Sequence, residues 1–199
     1  ARLGASASVD DVLALQPEAV VIATGAKPFV DERVRLEGVE VVHAWDVLAG
    51  NVPGGCTAVV SDWGGDPGGL DAAEVLAAAG SSVTLALEAV AVGEAVHQYR
   101  RNLYLQRLYG AGVEIVHHLE LVGASAGHVE FRNVFARDRR TTFAADVLVI
   151  ARGRVPEDEL SVPLAASGVR VETAGDCRSP RSLEEAVLEG TLAAQNAIA

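Results

Sequence analysis

The sequence has no methionine, one lysine and two cysteines among its 199 residues. Cys56 and Cys177 lie far apart, with no metal-ligand spacing around them, so a disulfide scaffold, a zinc site or an iron–sulfur site is not predicted. No apolar run approaches the roughly 20 residues that cross a bilayer, and the first residues lack a signal-peptide pattern. We therefore predict a cytoplasmic protein, and the missing methionine indicates part of a longer polypeptide.

Basic residues are scarce relative to acidic ones. The 16 Lys and Arg residues against 27 Asp and Glu residues give a net charge of −11. Such a surface repels nucleic acid and acidic membranes, so neither is an expected partner. Several arginines group on one predicted helix and in one predicted turn, where a solvated face or a docking surface for an acidic redox partner would fit: Arg100, Arg101, Arg107, Arg137, Arg139 and Arg140.

No combination of residues typical of a catalytic centre is present. The five histidines have no Ser, Cys or acidic companion at triad-like intervals. The adjacent His117 and His118 would point to opposite faces of a strand, which disfavours a shared metal ion. We therefore assign no catalytic residue and no metal ligand.

The middle of the sequence predicts a β-α-β unit. The runs "TAVVSDW" and "SSVTLALE" are apolar and β-branched, and the alanine-rich "GLDAAEVLAAAG" between them ends in a glycine. A helix over about residues 95–109 and the strand "VEIV" extend the pattern, which requires a parallel sheet. The segments "LELVGASA", "HVEFRNVFA" and "RTTFAADVLVIARG" then predict an antiparallel meander.

The flanking segments predict a second, smaller set of elements. A short helix is expected in "VDDVLALQ", a buried strand in "EAVVIATGA", and a strand with a helical turn in "VEVVHAWDVLAG". Near the C-terminus, "GVRVETAGD" predicts a strand, and the following helix has Ser182 as N-cap with Glu185 three residues later. The fold class is therefore α/β, with a Rossmann-like parallel sheet and an antiparallel meander, and "NVPGG" at 51–55 marks a domain crossing.

Three segments carry a resemblance to a known family: "DDVLALQPEAVVIATGAKP", "AADVLVIARGRVPEDEL" and "TAGDCRSPRSLEEAVLEGTLAAQNA". They resemble the C-terminal region of the flavin enzymes related to trimethylamine dehydrogenase, histamine dehydrogenase and 2,4-dienoyl-CoA reductase, the old yellow enzyme-like NADH:flavin oxidoreductases. In that family an FMN-bearing barrel and an iron–sulfur segment precede a disulfide-reductase-like pair of domains that binds FAD or ADP.

The resemblance implies a domain organisation. Residues 1–54 and 151–199 would form the second half of an FAD- or ADP-binding domain, and residues 55–150 an inserted NAD(P)-binding-like Rossmann domain. The barrel, the cluster cysteines and the first glycine-rich loop of the family have no counterpart in this sequence. Because that loop holds the pyrophosphate, we expect the chain alone to bind FAD poorly and to be inactive.

The resemblance also places cofactor-binding residues on this sequence. The "ATG" turn of the family falls on Thr24 and Gly25, where a missing side chain allows close backbone approach to FAD or ADP. Its "GD" motif falls on Gly175 and Asp176, and this carboxylate would accept hydrogen bonds from ribose or ribityl hydroxyls. The following helix would direct its first amides, around Glu185 and Ala186, towards a flavin edge.

The predicted inserted domain has an irregular glycine-rich loop with Gly64, Gly65, Gly68 and Gly69. Pro67 removes one amide donor, and Asp62 and Asp66 would repel phosphate. Glu88 follows Gly68 by 20 residues, at the place where an acidic residue takes the ribose hydroxyls of NAD and disfavours NADP. The loop favours a structural nucleotide fold, and an NAD(H) site stays the alternative.

Three functions are compatible with these patterns. The first is the dinucleotide-binding region of a larger FMN-dependent oxidoreductase, with the missing barrel and half-domain as its partners. In the resembled amine dehydrogenases, electrons pass to an electron-transferring flavoprotein, which would then be a further partner. The second is an NADH-binding reductase half that uses Glu88 and the Gly64–Gly69 loop. The third is a non-catalytic module for nucleotide sensing or interaction.

Overall fold

A computed structural model of the chain describes residues 1–52 and 54–198. The chain divides into two compact units, one formed by Ala1–Lys27 with the chain from Arg154 onward, and one formed by Pro28–Gly153. None of the helices in the described ranges has the length and hydropathy of a membrane-spanning segment.

The first unit is a small α/β arrangement. Its strands β1 (Ala19–Ile22) and β13 (Arg170–Thr173) pair in parallel, and β2 (Ala26–Pro28) pairs with β12 (Arg154–Pro156). Its helices are α1 (Val9–Leu13), α5 (Ser161–Ala166) and α6 (Leu183–Ile198), and a 3₁₀ turn covers Gly175–Cys177. The buried core contains Ile22, Leu164 and Cys177. The predicted strands and C-terminal helix are therefore present, while the first helix is shorter than 9–16.

The second unit contains a five-stranded parallel sheet in the order β4-β11-β5-β6-β7. Its strands are β4 (Glu40–His43), β5 (Thr57–Asp62), β6 (Ser82–Leu87), β7 (Glu114–Val116) and β11 (Val147–Ala151). A second sheet has the order β10-β9-β8-β3, with β3 (Arg35–Leu36), β8 (Leu119–Ser125), β9 (His128–Asn133) and β10 (Arg140–Ala144). The Rossmann-like parallel sheet and the meander are thus both present.

The parallel sheet is covered by different layers on its two faces. The helices α2 (Ala44–Leu48), α3 (Gly68–Ala78) and α4 (Gln98–Gly110) cover one face, where Val60, Leu85 and Val149 are buried. The second sheet covers the other face, where Val59 and Leu148 pack with Phe131. The alanine-rich sequence of α3 lets the helix pack closely, since Leu70, Ala72, Ala73 and Leu76 are all buried.

One predicted pairing is wrong. The segment "RTTFAADVLVIARG" does not belong wholly to the meander, because only its first part forms β10 and pairs antiparallel with β9. Its second part is β11, which lies between β4 and β5 in the parallel sheet. All five residues of β11 are buried, as expected for a strand covered on both faces.

The elements that precede β5 from Pro28 onward pack within the second unit. The strand β4 hydrogen-bonds to β11, β3 pairs with β8, and Ala44 and Val47 of α2 belong to the core beneath α3. The compact units therefore divide at residues 27/28 and 153/154. The assignment of residues 1–54 and 151–199 to an FAD or ADP half-domain, and of 55–150 to an inserted domain, stays a prediction.

Candidate functional site

In the first unit, β1 leads into a glycine with open space beside it. Gly25 has a φ of +81°, and no heavy atom of the described residues lies within 4 Å of the position of an added side-chain carbon. The Thr24 hydroxyl donates a hydrogen bond to the carbonyl of Glu157, and the Glu157 amide donates to the Gly25 carbonyl at 3.0 Å. The turn is therefore fixed on one side and open on the other, which suits close approach of a ligand to its backbone.

The Gly175–Asp176 turn follows β13 at the same edge of the small sheet as Gly25. This placement follows from the parallel pairing, in which Ile22 lies opposite Thr173. Gly175 has a φ of +71°, and a side chain there would stand 3.5 Å from the Ala186 methyl group. The structure therefore brings Gly175, Asp176 and Ala186 together.

Asp176 is held by two groups of the chain. Its carboxylate accepts hydrogen bonds from the Arg154 guanidinium and, at 3.1 Å, from the backbone amide of Arg181. A second Arg154 nitrogen donates to the Arg181 carbonyl at 3.2 Å. The predicted acceptor of cofactor hydroxyls is thus oriented by Arg154 and the Arg181 backbone.

Glu189 connects α6 to this turn. Its carboxylate accepts a hydrogen bond from the Gly175 amide at 2.9 Å, pairs with the Arg181 guanidinium, and lies 3.9 Å from Arg178. Burial opposes ionisation of Glu189, but the Gly175 amide and the two arginines outweigh it and lower the pKa. Glu189 therefore fixes the Gly175 turn relative to the helix.

Glu185 has a local role in the structure. Its carboxylate accepts hydrogen bonds from the hydroxyl of Ser182 and from the Ser182 amide at 3.1 Å, and the Glu184 amide donates to the Ser182 oxygen at 3.2 Å. The contact from the Ser182 amide to Glu185 is that of the predicted capping box, whereas the Ser182 oxygen accepts from the Glu184 amide and not from that of Glu185. The Ser182 hydroxyl lowers the pKa of Glu185.

Sequence reasoning missed Arg154, Arg181 and Glu189. One signal could have identified Glu189. It lies at helical spacing from Ala186 and Ala193 on the packed face of α6, where a charged residue is unexpected unless it has a partner. No local pattern could have identified Arg154, whose partner Asp176 is 22 residues away.

In the second unit, the order of the parallel strands reverses between β5 and β11. Ligands of open α/β sheets bind at such a switch point, beyond the carboxyl ends of the strands. The residues at this edge are Asp62, which ends β5, with Trp63, Gly64 and Gly65 after it, Glu88 after β6, and Arg152 and Gly153 after β11. This edge contains the predicted NAD residues Gly64, Gly65 and Glu88, with Gly68 and Gly69 at the start of α3.

Two carboxylates accept hydrogen bonds from backbone amides of the glycine-rich loop. Asp62 accepts a hydrogen bond from the Gly64 amide at 2.7 Å, and Asp66 accepts one from the Gly68 amide at 2.8 Å. A bound pyrophosphate would need backbone amides of this kind. The loop therefore satisfies two of its donors with its own side chains.

The glycines of this loop are packed against the protein itself. A side-chain carbon at Gly65 would collide with the indole of Trp63, and one at Gly64 with the Ala89 methyl group. A side-chain carbon at Gly69 would stand 2.7 Å from the Asp62 carboxyl. These glycines thus make room for neighbouring side chains.

Glu88 lies at the carboxyl end of β6, as predicted, and pairs with Arg152. The Arg152 guanidinium is 2.7 Å from the Glu88 carboxylate, and the Arg152 side chain is 16% exposed. Asp31 lies near enough to interact electrostatically with Arg152. An approaching ribose would meet a carboxylate that is already paired. The ranges 1–52 and 54–198 contain no group of three or more His, Cys, Asp or Glu side chains arranged to hold a metal ion.

Comparison with known proteins shows which family shares this arrangement. A family model described as pyridine nucleotide-disulphide oxidoreductase matches residues 3–184. The chain is 28% identical to an NADH oxidase of Thermoanaerobacter brockii over 200 residues, covering 95% of the chain and 29% of that protein. It is 31% identical over 173 residues to a probable N-methylproline demethylase of Rhizobium meliloti strain 1021, covering 77% of the chain and 23% of that protein.

The fold comparison agrees with the sequence comparison. The structure of histamine dehydrogenase from Rhizobium sp. 4-9 matches with a TM-score of 0.82 and 27% identity, covering 94% of this chain and 31% of that one. The resemblance to the histamine dehydrogenase group is therefore confirmed. The chain spans less than a third of the length of these relatives.

Proposed function

Because the chain belongs to the pyridine nucleotide-disulphide oxidoreductase family, we propose that it is the dinucleotide-binding region of a larger FMN-dependent oxidoreductase. The larger enzyme would be of the amine dehydrogenase or enoate reductase type, and this region would bind FAD or ADP and support electron transfer. The observation that carries the proposal is the shared sheet edge of Gly25 and the Gly175–Asp176 turn.

The residues of the first unit fit the hydroxyl-bearing part of FAD or ADP. Gly25 offers an open backbone, and the Asp176 carboxylate is oriented by Arg154 and the Arg181 amide. Three guanidinium groups, from Arg154, Arg178 and Arg181, stand against the two carboxylates of Asp176 and Glu189. Glu185 also interacts electrostatically with Arg181, so these positive and negative groups are balanced in a chain of net charge −11, which limits the repulsion that an anionic nucleotide would meet here. When bound, FAD would supply one- and two-electron redox chemistry.

The outer face of α6 supports a partner that completes the first unit. Several apolar side chains of this helix are exposed in the described chain: Leu183, Val187, Leu188, Leu192 and Ile198. Leu183, Val187 and Ile198 share one side of the helix by their spacing, and exposed apolar side chains grouped in this way often contact another protein surface. We propose that the missing first half of the FAD or ADP domain covers it, with the FMN barrel and an electron-transferring flavoprotein as further partners.

A titration tests the cofactor assignment. We expect the 199-residue chain to bind FAD with a Kd weaker than about 100 μM, because no glycine-rich loop in it is free to hold the pyrophosphate. Flavin fluorescence with increasing chain measures this Kd. Adding the first half of the FAD domain from the same enzyme should tighten binding at least tenfold, and an Asp176→Ala chain should lose most of that gain. Micromolar affinity of the chain alone would contradict the proposal.

The second candidate function is an NADH-binding reductase half. The observation that favours it is the position of Glu88 at the end of β6, beside the switch point. The Asp62 and Asp66 hydrogen bonds and the Arg152 pair favour the structural role for this unit. We therefore expect no saturable quenching of Trp63 by NADH up to millimolar concentration.

A matched variant isolates this measurement. The only other tryptophan is Trp45, so a Trp45→Phe chain reports Trp63 alone. Saturable quenching that disappears in a Glu88→Gln variant would support the NADH site and contradict the structural role. A non-catalytic sensing or interaction module, the third candidate, is distinguished by the intact source protein, which should then be short and colourless.

A further inference from the structure

Asp62 is a buried carboxyl group at the centre of the second unit. It ends β5, the middle strand of the parallel sheet, and is 1% exposed. Its Oδ1 accepts the Gly64 amide at 2.7 Å, whereas Oδ2 is buried and has no hydrogen-bond partner among the described residues. The carboxyl packs against Gly69 in the first turn of α3 so closely that an added carbon there would be 2.7 Å from Oδ2. Asp62 thus contacts both ends of the segment 64–69.

The charged groups around Asp62 do not neutralise it. On the segment itself, Asp66 adds a like charge that disfavours ionisation. On the flanking strands, Glu88 and Arg152 are paired with each other at 2.7 Å. On α3, Asp71 is the acceptor of a 2.6 Å hydrogen bond from Tyr104. Among the described residues, a carboxylate at position 62 would therefore have one amide donor and no cationic partner of its own.

We propose that Asp62 is a proton-controlled latch on the glycine-rich segment 64–69. The neutral carboxyl stays packed beneath α3 and holds Gly64 and Gly69. Loss of its proton to solvent leaves a buried charge without a counter-ion, and this charge is stabilised only when the segment moves and admits water. Gly64 and Gly65 permit the backbone rotations that such movement needs, since glycine is not confined to the usual φ range and Gly64 already has a φ of +87°.

The latch has consequences for the edge of the sheet. Movement of the segment 64–69 releases the Gly64 amide from Asp62 and displaces Trp63. The Trp63 side chain contacts Gly65 and Gly153 and is 45% exposed. The carboxyl ends of β5 and β11 then become accessible together. A protein or small molecule that binds this edge would do so more tightly above the pKa of Asp62 than below it.

Trp63 fluorescence tests the latch directly. In a Trp45→Phe chain, the emission of Trp63 is followed between about pH 5.5 and about pH 8.5, with far-UV circular dichroism confirming that the fold is retained. We expect one titration of the emission wavelength with a midpoint near the raised pKa of Asp62, about 7, which burial and Asp66 produce. An Asp62→Asn variant should remain on the low-pH signal throughout.

A second variant keeps the test decisive if Asp62→Asn does not fold. Asp66→Asn removes the like charge, so the midpoint should move to lower pH while the titration persists. A wild-type signal that does not change with pH, a titration that is unaltered in Asp62→Asn, or a midpoint that is unmoved in Asp66→Asn would each overturn the latch. The histidines cannot mimic the expected pattern, since neither substitution removes one.

Discussion

Raising the pH from about 5 to about 8 is expected to lower the free energy of unfolding of the second unit by about 2 kcal/mol, and Asp62→Asn should remove most of this loss. Burial and the nearby Asp66 raise the pKa of Asp62 to about 7, although the Gly64 amide lowers it. In the unfolded chain the same group titrates near its ordinary value of 3.8. Each unit of difference between the folded and unfolded pKa corresponds to about 1.4 kcal/mol, and movement of the segment 64–69 relieves part of this cost.

The sign follows from which state binds the proton. Between about pH 4 and 7 the folded state keeps the Asp62 proton and the unfolded state has lost it, so rising pH favours unfolding. The stability associated with the neutral Asp62 carboxyl is fully present below pH 3.8 and has been lost once the pH passes about 7. Asp31, whose pKa the Arg33 hydrogen bond lowers to about 2, acts in the opposite sense but only in acid. Its contribution is therefore constant across the measured range.

Urea unfolding at several pH values measures this effect. Both tryptophans, Trp45 and Trp63, lie in the second unit, so their fluorescence reports its unfolding. Asp62→Asn keeps an acceptor for the Gly64 amide and should be the more stable chain above pH 7. Asp66→Asn should reduce the slope without abolishing it. Stability that is level or increases from pH 5 to 8 in the wild-type chain would contradict the assignment.

The sequence predicts those structural elements that are determined by contacts between neighbouring segments of the chain. The β-α-β unit from β5 to β6 was predictable, because two β-branched runs and an alanine-rich helix follow each other with glycine between them. The capping of α6 by Ser182 and Glu185 was predictable for the same reason, since four consecutive residues contain the whole motif. The position of β11 was not, because its partners β4 and β5 lie about 90 residues or more earlier in the chain.

In the candidate site, too, side-chain partners that are distant in the sequence could not be predicted from it. The sequence identified Asp176 and Glu88 as acidic residues at strand ends, which is where the structure places them. It did not reveal that Arg154 holds one and Arg152 the other. Arg152 follows β11 and Arg154 begins β12, and the neighbours of both strands are set by tertiary pairing, so neither acidic partner can be read from spacing. Trp63 likewise covers Gly153 only because β5 and β11 are adjacent.

The second large effect is expected in the core between the two sheets of the second unit. Phe131 of β9 is fully buried and packs with Leu148 and Val59 of the parallel sheet. Its ring stands edge-on to that of Phe143, with centroids 5.8 Å apart. Phe131→Ala should cost about 3–5 kcal/mol, because the lost transfer energy is joined by the energy of a cavity that two sheets cannot close. Leu119, Leu121 and Val129 of the meander are buried in the same core, and Phe131 is the largest of its fully buried side chains.

Phe135→Ala is the matched control for this experiment. Phe135 follows the same strand but is 72% exposed, and its ring contacts only that of His118 among the aromatic groups of residues 1–52 and 54–198. Its removal should change the stability by less than about 0.5 kcal/mol. Urea unfolding followed by tryptophan fluorescence compares the two variants, and equal losses would show that the second sheet does not pack as described. If the second unit has only a structural role, Phe131→Ala should also lower the stability of the larger enzyme. Glu88→Gln should then leave the activity of that enzyme within about twofold.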